Sequence, residues 1–372
     1  MLKKLITFMK APYILYDSQI FEMQRFGGIS RYFCEIIRRI PINYKITILF
    51  SINYYLSKWK LAKHRIPLPR FIYKLNSHCL KRLNYKFTRK LLKRKENYLF
   101  HPTYYDPYFF QYIGDNPYVI TVHDMVHEKF PQLVPDSQTQ IRQKKEVINN
   151  AKRIIAISKN TKKDIIDILG ISPEKIDVIY HGTSMKPFTG KYQLKLPKRY
   201  LLYVGDRTPY KNFQRFMKAF ANLRKTEPDL YVVYTGKQLK KAEVIQLTQM
   251  NILKYTIHIK ASDSSLSELY SRALLFVYPS LYEGFGIPIL EAYACHCPIA
   301  ISNTSCFPEI AGDAAAYFNP YSIDSICQTI AEIIHDKEKR KHLIRLGDIQ
   351  LKRYSWEEAA RRTLETYKKA IE

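Results

Sequence analysis

Acidic residues are scarce in this sequence, in which 33 Asp and Glu stand against 60 Lys and Arg. The formal net charge is +27, and no Asp or Glu occurs from residue 36 to residue 95. A surplus of this size predicts an anionic partner: a nucleic acid, an anionic lipid or a phosphorylated substrate.

Long apolar runs are also missing, and none approaches the ~20 residues that a membrane-spanning helix needs. The start, "MLKKLITFMKAPYILYD", is basic, but Lys10 and Pro12 interrupt any hydrophobic segment. We interpret it as a first strand and not as a signal peptide. Six scattered cysteines then predict reduced thiols in the cytosol. "CHCP" at 295–298 lacks a second ligand pair at zinc-finger spacing, so it predicts helix-end packing and no metal site.

Two nucleotide fingerprints are absent. The Walker pattern G-x-x-x-x-G-K-[ST] does not occur, which disfavours an ATPase. Gly27 and Gly28, in "QRFGGISRYF" (24–33), do not complete G-x-G-x-x-G, and no acidic residue follows about twenty positions on. Nicotinamide binding is therefore disfavoured, and the double glycine predicts either close approach of a ligand to the backbone or a simple turn.

What is present is an alternation of short β-rich apolar runs with helical patterns, in two series. The runs lack a period of two, as expected for strands buried on both faces of a parallel sheet. The predicted strands are 13–17, 45–51, 97–102, 118–124, 153–158, 176–182, 200–205, 230–236, 256–261, 274–280 and 298–302. Helices are predicted at 29–39, 138–151 and 161–169, among others.

This pattern predicts an α/β protein of two doubly wound, Rossmann-like domains facing a cleft. The predicted units are 1–190, 191–353 and a terminal helix, 354–372, with a polar linker at 185–198. Ser355 and Glu358 have the spacing of a capping box at the start of that helix. In such sheets ligands bind beyond the carboxyl ends of the strands.

The segment "LYEGFGIPILEA" (281–292) sets two glutamates around a glycine pair. Gly286 and Pro288 predict a helix start between them, with Glu283 in the loop before it and Glu291 about one turn in. Free N–H groups at a helix start attract phosphate, and carboxylates accept hydrogen bonds from hydroxyl groups. A nucleotide sugar combines both chemistries.

Three other segments follow predicted strands. In "VGDRTPYKNF" (204–213), Arg207 and Lys211 predict a diphosphate site or a solvated basic loop. In "TVHDMVHEKF" (121–130), His123 faces the cleft or has a structural role. Glu309, in "SNTSCFPEIAGDAAAYF" (302–318), shapes the donor pocket or has a structural role, with turns at Pro308–Glu309 and Gly312–Asp313.

Taken together, these segments resemble the retaining glycosyltransferases of family 4, which have the GT-B fold. The resemblance runs from about residue 13 to 370. It is carried by Glu283-x7-Glu291 with "GFGIP", "VGDRTPYKNF", "GGISRYF", "VHD", "PEIAGDAA" and "YSWEEAARRTLETY". It implies that the last helix crosses back onto the first domain, and it extends to the branch used in bacterial surface polysaccharide assembly.

The resemblance also implies roles for single residues. Glu283 would meet donor-sugar hydroxyls and Glu291 the ribose. Lys211 matches a diphosphate lysine, whereas Arg207 departs from the commoner pattern because Asp206 occupies the position directly after the glycine. The other implied donor contacts are His123, Gly27, Gly28, Gly284, Phe285, Gly286 and Ile287.

The predicted reaction moves a sugar from a nucleoside diphosphate donor to an acceptor hydroxyl with retention, as a hexosyltransferase does, and uses no metal or other cofactor. The acceptor is a saccharide or lipid-linked saccharide. A sugar-nucleotide epimerase of similar shape is an alternative, which would need a general acid/base pair in the cleft. A nucleic-acid-binding protein would also explain the charge, but none of the standard recognition motifs occurs.

Residues 58–95 form a basic run of fourteen Lys and Arg, interleaved with aromatic and leucine residues. A helix with one basic and one apolar side can lie in a membrane interface. The run therefore predicts peripheral binding at the inner face of the cell membrane. A solvated basic face and a nucleic-acid surface are the alternatives.

Overall fold

The computed structural model describes residues 13–94, 96–191 and 193–372. The first twelve residues lie outside these ranges, so the interpretation of the amino terminus stays a prediction except for strand β1, which begins at Tyr13. Lys95, at the end of the basic run, also lies outside them.

The first half of the chain forms parallel β-strands with helices between them. The order is β2-β1-β3 in one three-stranded sheet and β4-β5-β6 in another, and a parallel bridge from Phe100 to Tyr118 joins β3 to the start of β4. The strands are β1 (Tyr13–Tyr16), β2 (Tyr44–Ile46), β3 (Tyr98–His101), β4 (Val119–Val122), β5 (Arg153–Ala156) and β6 (Ile176–Val178). The helices are α1 (Gln19–Met23), α2 (Gly28–Ile37), α3 (Tyr54–Lys58), α4 (Arg70–Leu75), α5 (Ser77–Leu92), α6 (Val126–Lys129), α7 (Ser137–Asn150) and α8 (Lys159–Leu169).

The second half forms a six-stranded parallel sheet in the order β12-β11-β10-β7-β8-β9. Its strands are β7 (Tyr200–Tyr203), β8 (Tyr231–Tyr234), β9 (Thr256–His258), β10 (Leu275–Tyr278), β11 (Ile299–Ser302) and β12 (Ala316–Phe318). Its helices are α9 (Phe213–Leu223), α10 (Lys241–Gln249), α11 (Asp263–Arg272), α12 (Ile287–Ala294), α13 (Phe307–Ala311), α14 (Ile323–His335) and α15 (Lys337–Leu351). The two Rossmann-like domains confirm the predicted fold class.

The central strands are buried on both faces, as their unalternating sequences predicted. All four residues are buried in β4, β7, β10 and β11. Strand β12 was not predicted, because it is a three-residue strand at the sheet edge that follows turn-forming residues. The exact unit boundaries at 190/191 and 353/354 stay a prediction.

The last helix, α16 (Trp356–Ile371), crosses back onto the first domain and confirms that expectation. Trp356 and Tyr367 belong to the core around β1 and α2. The Tyr367 hydroxyl lies 2.7 Å from His101 Nδ1. At the crossing, a side chain on Gly182 would overlap the backbone of Trp356. Ser355 caps the helix by accepting from Glu358 N at 3.0 Å, whereas the Glu358 carboxylate pairs with Arg361.

The basic run forms α4 and α5. The predicted two-sided helix is present as α5, but its apolar side, including Leu80, Leu91 and Leu92, is buried in the domain. Other large apolar side chains of the run are exposed, with Phe71 65% and Leu75 81% exposed on α4 and Leu83 44% and Tyr85 37% exposed on α5. Within the described ranges, no helix has the length and apolar character needed to cross a bilayer.

Candidate functional site

The loop from β10 to α12 brings the glutamate motif to the carboxyl edge of the second sheet. Strand β10 ends at Tyr278 and α12 begins at Ile287. Gly286 adopts φ +90° as the residue before the helix, a left-handed conformation that favours glycine. The predicted loop and helix start are confirmed, with Glu283 in the loop and Glu291 in the second turn of α12.

Glu283 forms an ion pair with Lys211, which lies at the carboxyl end of the neighbouring strand β7. Lys211 Nζ and Glu283 Oε1 are 2.6 Å apart, and both side chains are largely buried. The Glu283 amide donates to Ser305 Oγ at 3.2 Å, which fixes the loop. Two residues that are 72 positions apart in the chain therefore meet at one point, at the carboxyl edge where both had been expected.

The charge of Lys211 is retained inside the protein. Burial alone would lower the pKa of its ammonium group, but the Glu283 carboxylate, Tyr278 and Tyr210 outweigh burial and hold the pKa well above its usual value. A lysine that stays charged in a partly desolvated cleft is a strong electrostatic ligand for an anion.

Glu291 pairs across the cleft with Arg31, which the sequence analysis did not single out. Arg31 Nη1 lies 3.0 Å from Glu291 Oε1, and the Tyr270 hydroxyl lies 3.4 Å from the other carboxylate oxygen. Burial raises the pKa of Glu291, although the Arg31 charge opposes that rise. Arg31 lies one turn into α2, three residues after the predicted donor contact Gly28.

The two domains touch at Gly284. A side chain there would overlap the carbonyl oxygen of His123, so the close approach requires glycine. Thr161 Oγ1 also donates to the carbonyl of Gly284 at 3.3 Å. The predicted cleft histidine and the predicted donor loop are thus brought together, one from each domain.

His123 is buried and neutral at physiological pH, because burial lowers the pKa of its imidazole to about 4. Its Nε2 atom has no hydrogen-bond partner among the described residues. The ring packs edge-on against Tyr32 and lies beside His181, with 6.4 Å between the two imidazole centres. A neutral imidazole can accept or donate one hydrogen bond to a sugar hydroxyl, but it adds no positive charge.

Phe285 and Ile287 differ in exposure. The Phe285 ring is buried and lies 4.8 Å from the His181 ring, so it fixes the loop against the first domain. Ile287 is half-buried at the first position of α12. In the first domain, Gly27 lies beside the Gln24 side chain, whereas a side chain on Gly28 would meet nothing within 4 Å among the described atoms.

Arg207 does not join the Lys211–Glu283 pair. Its guanidinium is paired with Glu243 at 2.9 Å and donates to the carbonyls of Lys237 and Gln238, and its side chain is only 5% exposed. These contacts fasten the loop before α10. Arg207 stands one position later than the arginine of the commoner family pattern, because Asp206 follows the glycine directly. Its side chain is used for the contacts with the loop before α10, and this geometry disfavours direct diphosphate binding.

Glu309 connects the domains. Its two carboxylate oxygens accept from the amides of Lys159 and Asn160, at 2.7 and 3.0 Å, at the start of α8. The Tyr282 hydroxyl donates to Asp164 on the same helix at 2.6 Å. These contacts give Glu309 a structural role between the domains, and its contribution to the donor pocket stays a prediction.

The cleft therefore holds a charged lysine, a helix start, two carboxylates and a neutral histidine within contact of both domains. Cations and helix N–H groups stabilise negative charge, and carboxylates bind hydroxyl groups. This arrangement suits a ligand with a diphosphate and sugar rings.

Comparison with known proteins agrees with this geometry. The model of the family described as Glycosyltransferase Family 4 matches residues 26–186, and that of Glycosyl transferases group 1 matches residues 185–348. O-antigen chain mannosyltransferase B of Escherichia coli is 29% identical over 296 residues, 74% of this chain and 76% of its own length. O-antigen chain mannosyltransferase RfbU of Salmonella typhimurium is 32% identical over 209 residues, which are 54% of this chain and 56% of that relative.

Among solved structures, Anabaena HepE in complex with UDP and glucose superposes with a TM-score of 0.75 at 19% identity, over 96% of this chain and all of that one. A likeness at this identity establishes the fold. Two Rossmann-like domains around a polar cleft, joined to these family matches, define a glycosyltransferase with the GT-B fold. The chain belongs to glycosyltransferase family 4.

Proposed function

We propose that this chain transfers a hexose from a nucleoside diphosphate sugar to a saccharide hydroxyl, with retention of anomeric configuration, in bacterial surface polysaccharide assembly. The observation that carries the proposal is the Lys211–Glu283 pair beside the start of α12. The names of the O-antigen mannosyltransferase relatives support the polysaccharide setting.

The reaction builds negative charge on the departing diphosphate and positive charge on the anomeric carbon. Groups that are already oriented where charge develops are the main source of rate in such reactions. In the proposed complex, Lys211 and the α12 start near Gly286 hold the diphosphate, and Glu283 holds sugar hydroxyls. The diphosphate oxygen is the proposed acceptor of the proton from the attacking hydroxyl.

Binding requires the cleft pairs to rearrange. Lys211 must turn from Glu283 towards phosphate, and Glu291 must exchange Arg31 for the ribose. The carboxylates of Glu283 and Glu291 then accept hydrogen bonds from hydroxyl groups of the donor, and these bonds replace the two ion pairs. Gly27, Gly28 and His123 approach the donor from the first domain, and charge is handled without a metal ion.

We further propose that the basic run 58–95 docks the protein on an anionic membrane surface, where a lipid-linked acceptor is available. The exposed Phe71 and Leu75 on α4, with exposed Lys and Arg on α4 and α5, support this docking. Each cation near an anionic surface contributes about 1 kcal/mol. The apolar side of α5 takes no part, because the domain interior covers it.

A thermal-shift panel of uridine, guanosine and cytidine diphosphate sugars tests the donor proposal. A ligand at 100 times its dissociation constant adds about 2.7 kcal/mol to the free energy of unfolding. The donor so identified is then supplied with glycoside acceptors, and the product is tested for retained configuration. No stabilisation by any diphosphate sugar contradicts the proposal, and formation of an epimer without an acceptor supports the epimerase alternative.

A further inference from the structure

Two exposed aromatic side chains are in contact on the first domain. Phe26, in the loop between α1 and α2, is 54% exposed, and Tyr54, at the start of α3, is 38% exposed. Their ring centres are 5.0 Å apart, and the ring planes are tilted by 35°. Single exposed apolar side chains are common, whereas large ones that adjoin each other mark a binding surface more often. We call these two residues the aromatic pair.

Two cations lie against the aromatic pair. The guanidinium carbon of Arg25 is 4.8 Å from the centre of the Phe26 ring, and Lys58 Nζ is 5.5 Å from the centre of the Tyr54 ring. The Arg25 side chain is exposed and has no carboxylate or hydrogen-bond partner among the described residues. Lys58 lies 3.4 Å from Asp263, and an exposed pair of this kind is weak. The surface therefore combines apolar area with positive charge.

The backbone holds the aromatic pair in a fixed position. The Tyr54 amide donates to the carbonyl of Arg25 at 2.9 Å, and the buried Asn53 side chain donates to the carbonyl of Gln24 at 2.6 Å. Asn53 also caps α3, because its side chain accepts from Leu56 N at 3.0 Å. A ligand would therefore bind without first ordering this loop, which favours affinity.

The aromatic pair adjoins the cleft between the domains. Phe26 precedes Gly28 by two residues, so their Cα atoms are at most about 7 Å apart. Helix α2 begins at Gly28 and contacts the second domain within one turn, where Arg31 pairs with Glu291. Lys58 reaches the second domain through its own ion pair. A ligand on the aromatic pair would therefore lie next to the proposed donor site.

An amphiphilic anion has the chemistry that matches this surface. An apolar chain would cover the two rings, and a phosphate group would pair with the Arg25 guanidinium, whose planar donors suit phosphate oxygens. An uncharged sugar would leave Arg25 without a partner, and a free phosphate ion would leave the rings exposed.

We propose that the aromatic pair, with Arg25 and Lys58, binds the lipid phosphate of a lipid-linked saccharide acceptor. The phosphate would lie at the two cations, and the adjoining part of the apolar chain would lie on the rings. The saccharide would then extend past Gly28 into the cleft. This inference rests on the proposed function, which requires an acceptor hydroxyl beside the donor.

The test measures binding of farnesyl phosphate, a lipid phosphate without a saccharide, to the full chain. Calorimetry is carried out below the concentration at which the probe forms micelles, and farnesol and inorganic phosphate are the comparison probes. We expect farnesyl phosphate to bind about tenfold more tightly than either, because each comparison probe can use only the rings or only the cations.

Substitutions then separate the apolar contribution from the charge. Phe26→Ala should weaken farnesyl phosphate binding about fivefold at every salt concentration, because it removes apolar contact area. Arg25→Gln should weaken binding about three- to fivefold at low salt and reduce the salt dependence, as expected for an exposed charge pair. Arg25→Lys should restore most of the loss. Both side chains are exposed, so the thermal midpoint should not change.

Two control variants test the location of the site. Tyr321→Ala is matched to Phe26→Ala, because Tyr321 is also 54% exposed and the guanidinium of Arg215 lies 5.9 Å from its ring centre. It should bind farnesyl phosphate as the wild type does. Lys211→Ala removes the cation of the proposed donor site and should also leave farnesyl phosphate binding unchanged.

The proposal is wrong if farnesyl phosphate does not bind the wild-type protein, or if Phe26→Ala or Arg25→Gln binds it as tightly as the wild type. Loss of binding in Lys211→Ala also overturns it, because the phosphate would then lie in the donor site. If Phe26→Ala weakens only the binding of phosphatidylcholine vesicles, the aromatic pair is a membrane anchor and the proposal fails.

Donor binding and transfer are scored separately from farnesyl phosphate binding. Farnesyl phosphate binding that depends on Phe26 and Arg25, without stabilisation by any diphosphate sugar, supports the lipid-phosphate site and contradicts the proposed function. Transfer to a lipid-linked acceptor, with unchanged farnesyl phosphate binding in both variants, supports the proposed function and contradicts this site.

Discussion

Lys211 and Glu283 neutralise each other at the edge of the second sheet. Removal of either side chain therefore changes the net charge that a donor meets in the cleft. Lys211→Ala leaves the Glu283 carboxylate facing a diphosphate, and Glu283→Gln removes the acceptor for sugar hydroxyls. We expect either change to lower kcat/KM for transfer by about 10²–10³, the usual cost of losing one oriented group. Steady-state transfer with the identified donor measures this.

Lys218→Ala is the control for that experiment, since Lys218 is exposed on the outer side of α9. Circular dichroism confirms that the variants are folded. Near-normal turnover in both folded cleft variants would contradict the site assignment.

His123 supplies a prediction about pH. Its pKa of about 4 is below the value of about 6.5 in an unfolded chain. The unfolded state therefore takes up this proton first, and the contribution of His123 to the free energy of unfolding falls as pH drops from about 6.5 towards 4. Imidazole resonances of ¹⁵N-histidine protein, assigned with His123→Asn, should show no titration of this ring between pH 5 and 8. A midpoint near 6.5 would contradict this.

At the scale of single residues, the sequence predicted which residues lie at the cleft better than it predicted which residues contact each other. The strand-end rule placed Glu283, Lys211 and His123 at the cleft, because carboxyl ends of parallel strands share one edge. It did not reveal Arg31 as the partner of Glu291, since that contact joins two domains 260 positions apart. Nor did it reveal that Arg207 pairs with Glu243, because Glu243 lies on a helix that no motif marked; the role of Arg207 at the donor stays a prediction.

Among the elements, α4 and α5 carry the prediction of membrane docking. Anionic vesicles should bind the wild-type protein and release it as salt rises, because exposed charges are screened over about 8 Å at physiological ionic strength. Replacing Lys90, Lys93, Arg94 and Lys95 by Ser should weaken vesicle binding and slow transfer to a lipid acceptor, with donor binding unchanged. Vesicle co-sedimentation measures the first effect.

Phe71→Ser with Leu75→Ser separates insertion from charge. It should weaken binding at every salt concentration and leave the salt dependence in place. Replacing the exposed Lys339 and Lys341 of α15 by Ser is the control and should have no effect. If the wild-type protein ignores anionic vesicles at low salt, or the basic-run variant binds them as well, docking by this run is wrong.

Element type was predictable where a buried strand or a capped helix left a local signal. Helices predicted at 138–151 and 161–169 occur as Ser137–Asn150 and Lys159–Leu169. The strand predicted at 45–51 ends at Ile46, since the following residues turn to contact α5 through Asn84. The exposure of α5 was not predictable, because an apolar helix side has the same sequence pattern whether it covers a core or meets lipid.

For the whole molecule, the closed cleft predicts how the enzyme handles charge. Lys211 and the α12 start supply positive potential at the expected diphosphate position, so we expect EDTA to leave most transfer activity unchanged. The assay uses the identified donor after dialysis against chelator. Complete loss of activity that a divalent ion restores would contradict this prediction.

The domains are held together by several polar contacts around the donor loop. Arg31–Glu291 and Lys58–Asp263 are ion pairs between them, and Glu309 caps α8 from the opposite side. Such contacts are individually modest when exposed, so donor binding can replace those inside the cleft while the outer ones persist. The cleft can thus open locally without separation of the domains.

The position of α16 has a consequence for synthesis on the ribosome. Trp356 and Tyr367 complete the core of the first domain, yet they are translated only after every strand of the second. Nascent domains usually fold in the order in which they emerge. Here the first domain emerges first, but its core is complete only when α16 has been translated. Tyr16 and His101 therefore remain uncovered while the second domain folds. Chaperones that act on nascent chains would meet that surface first.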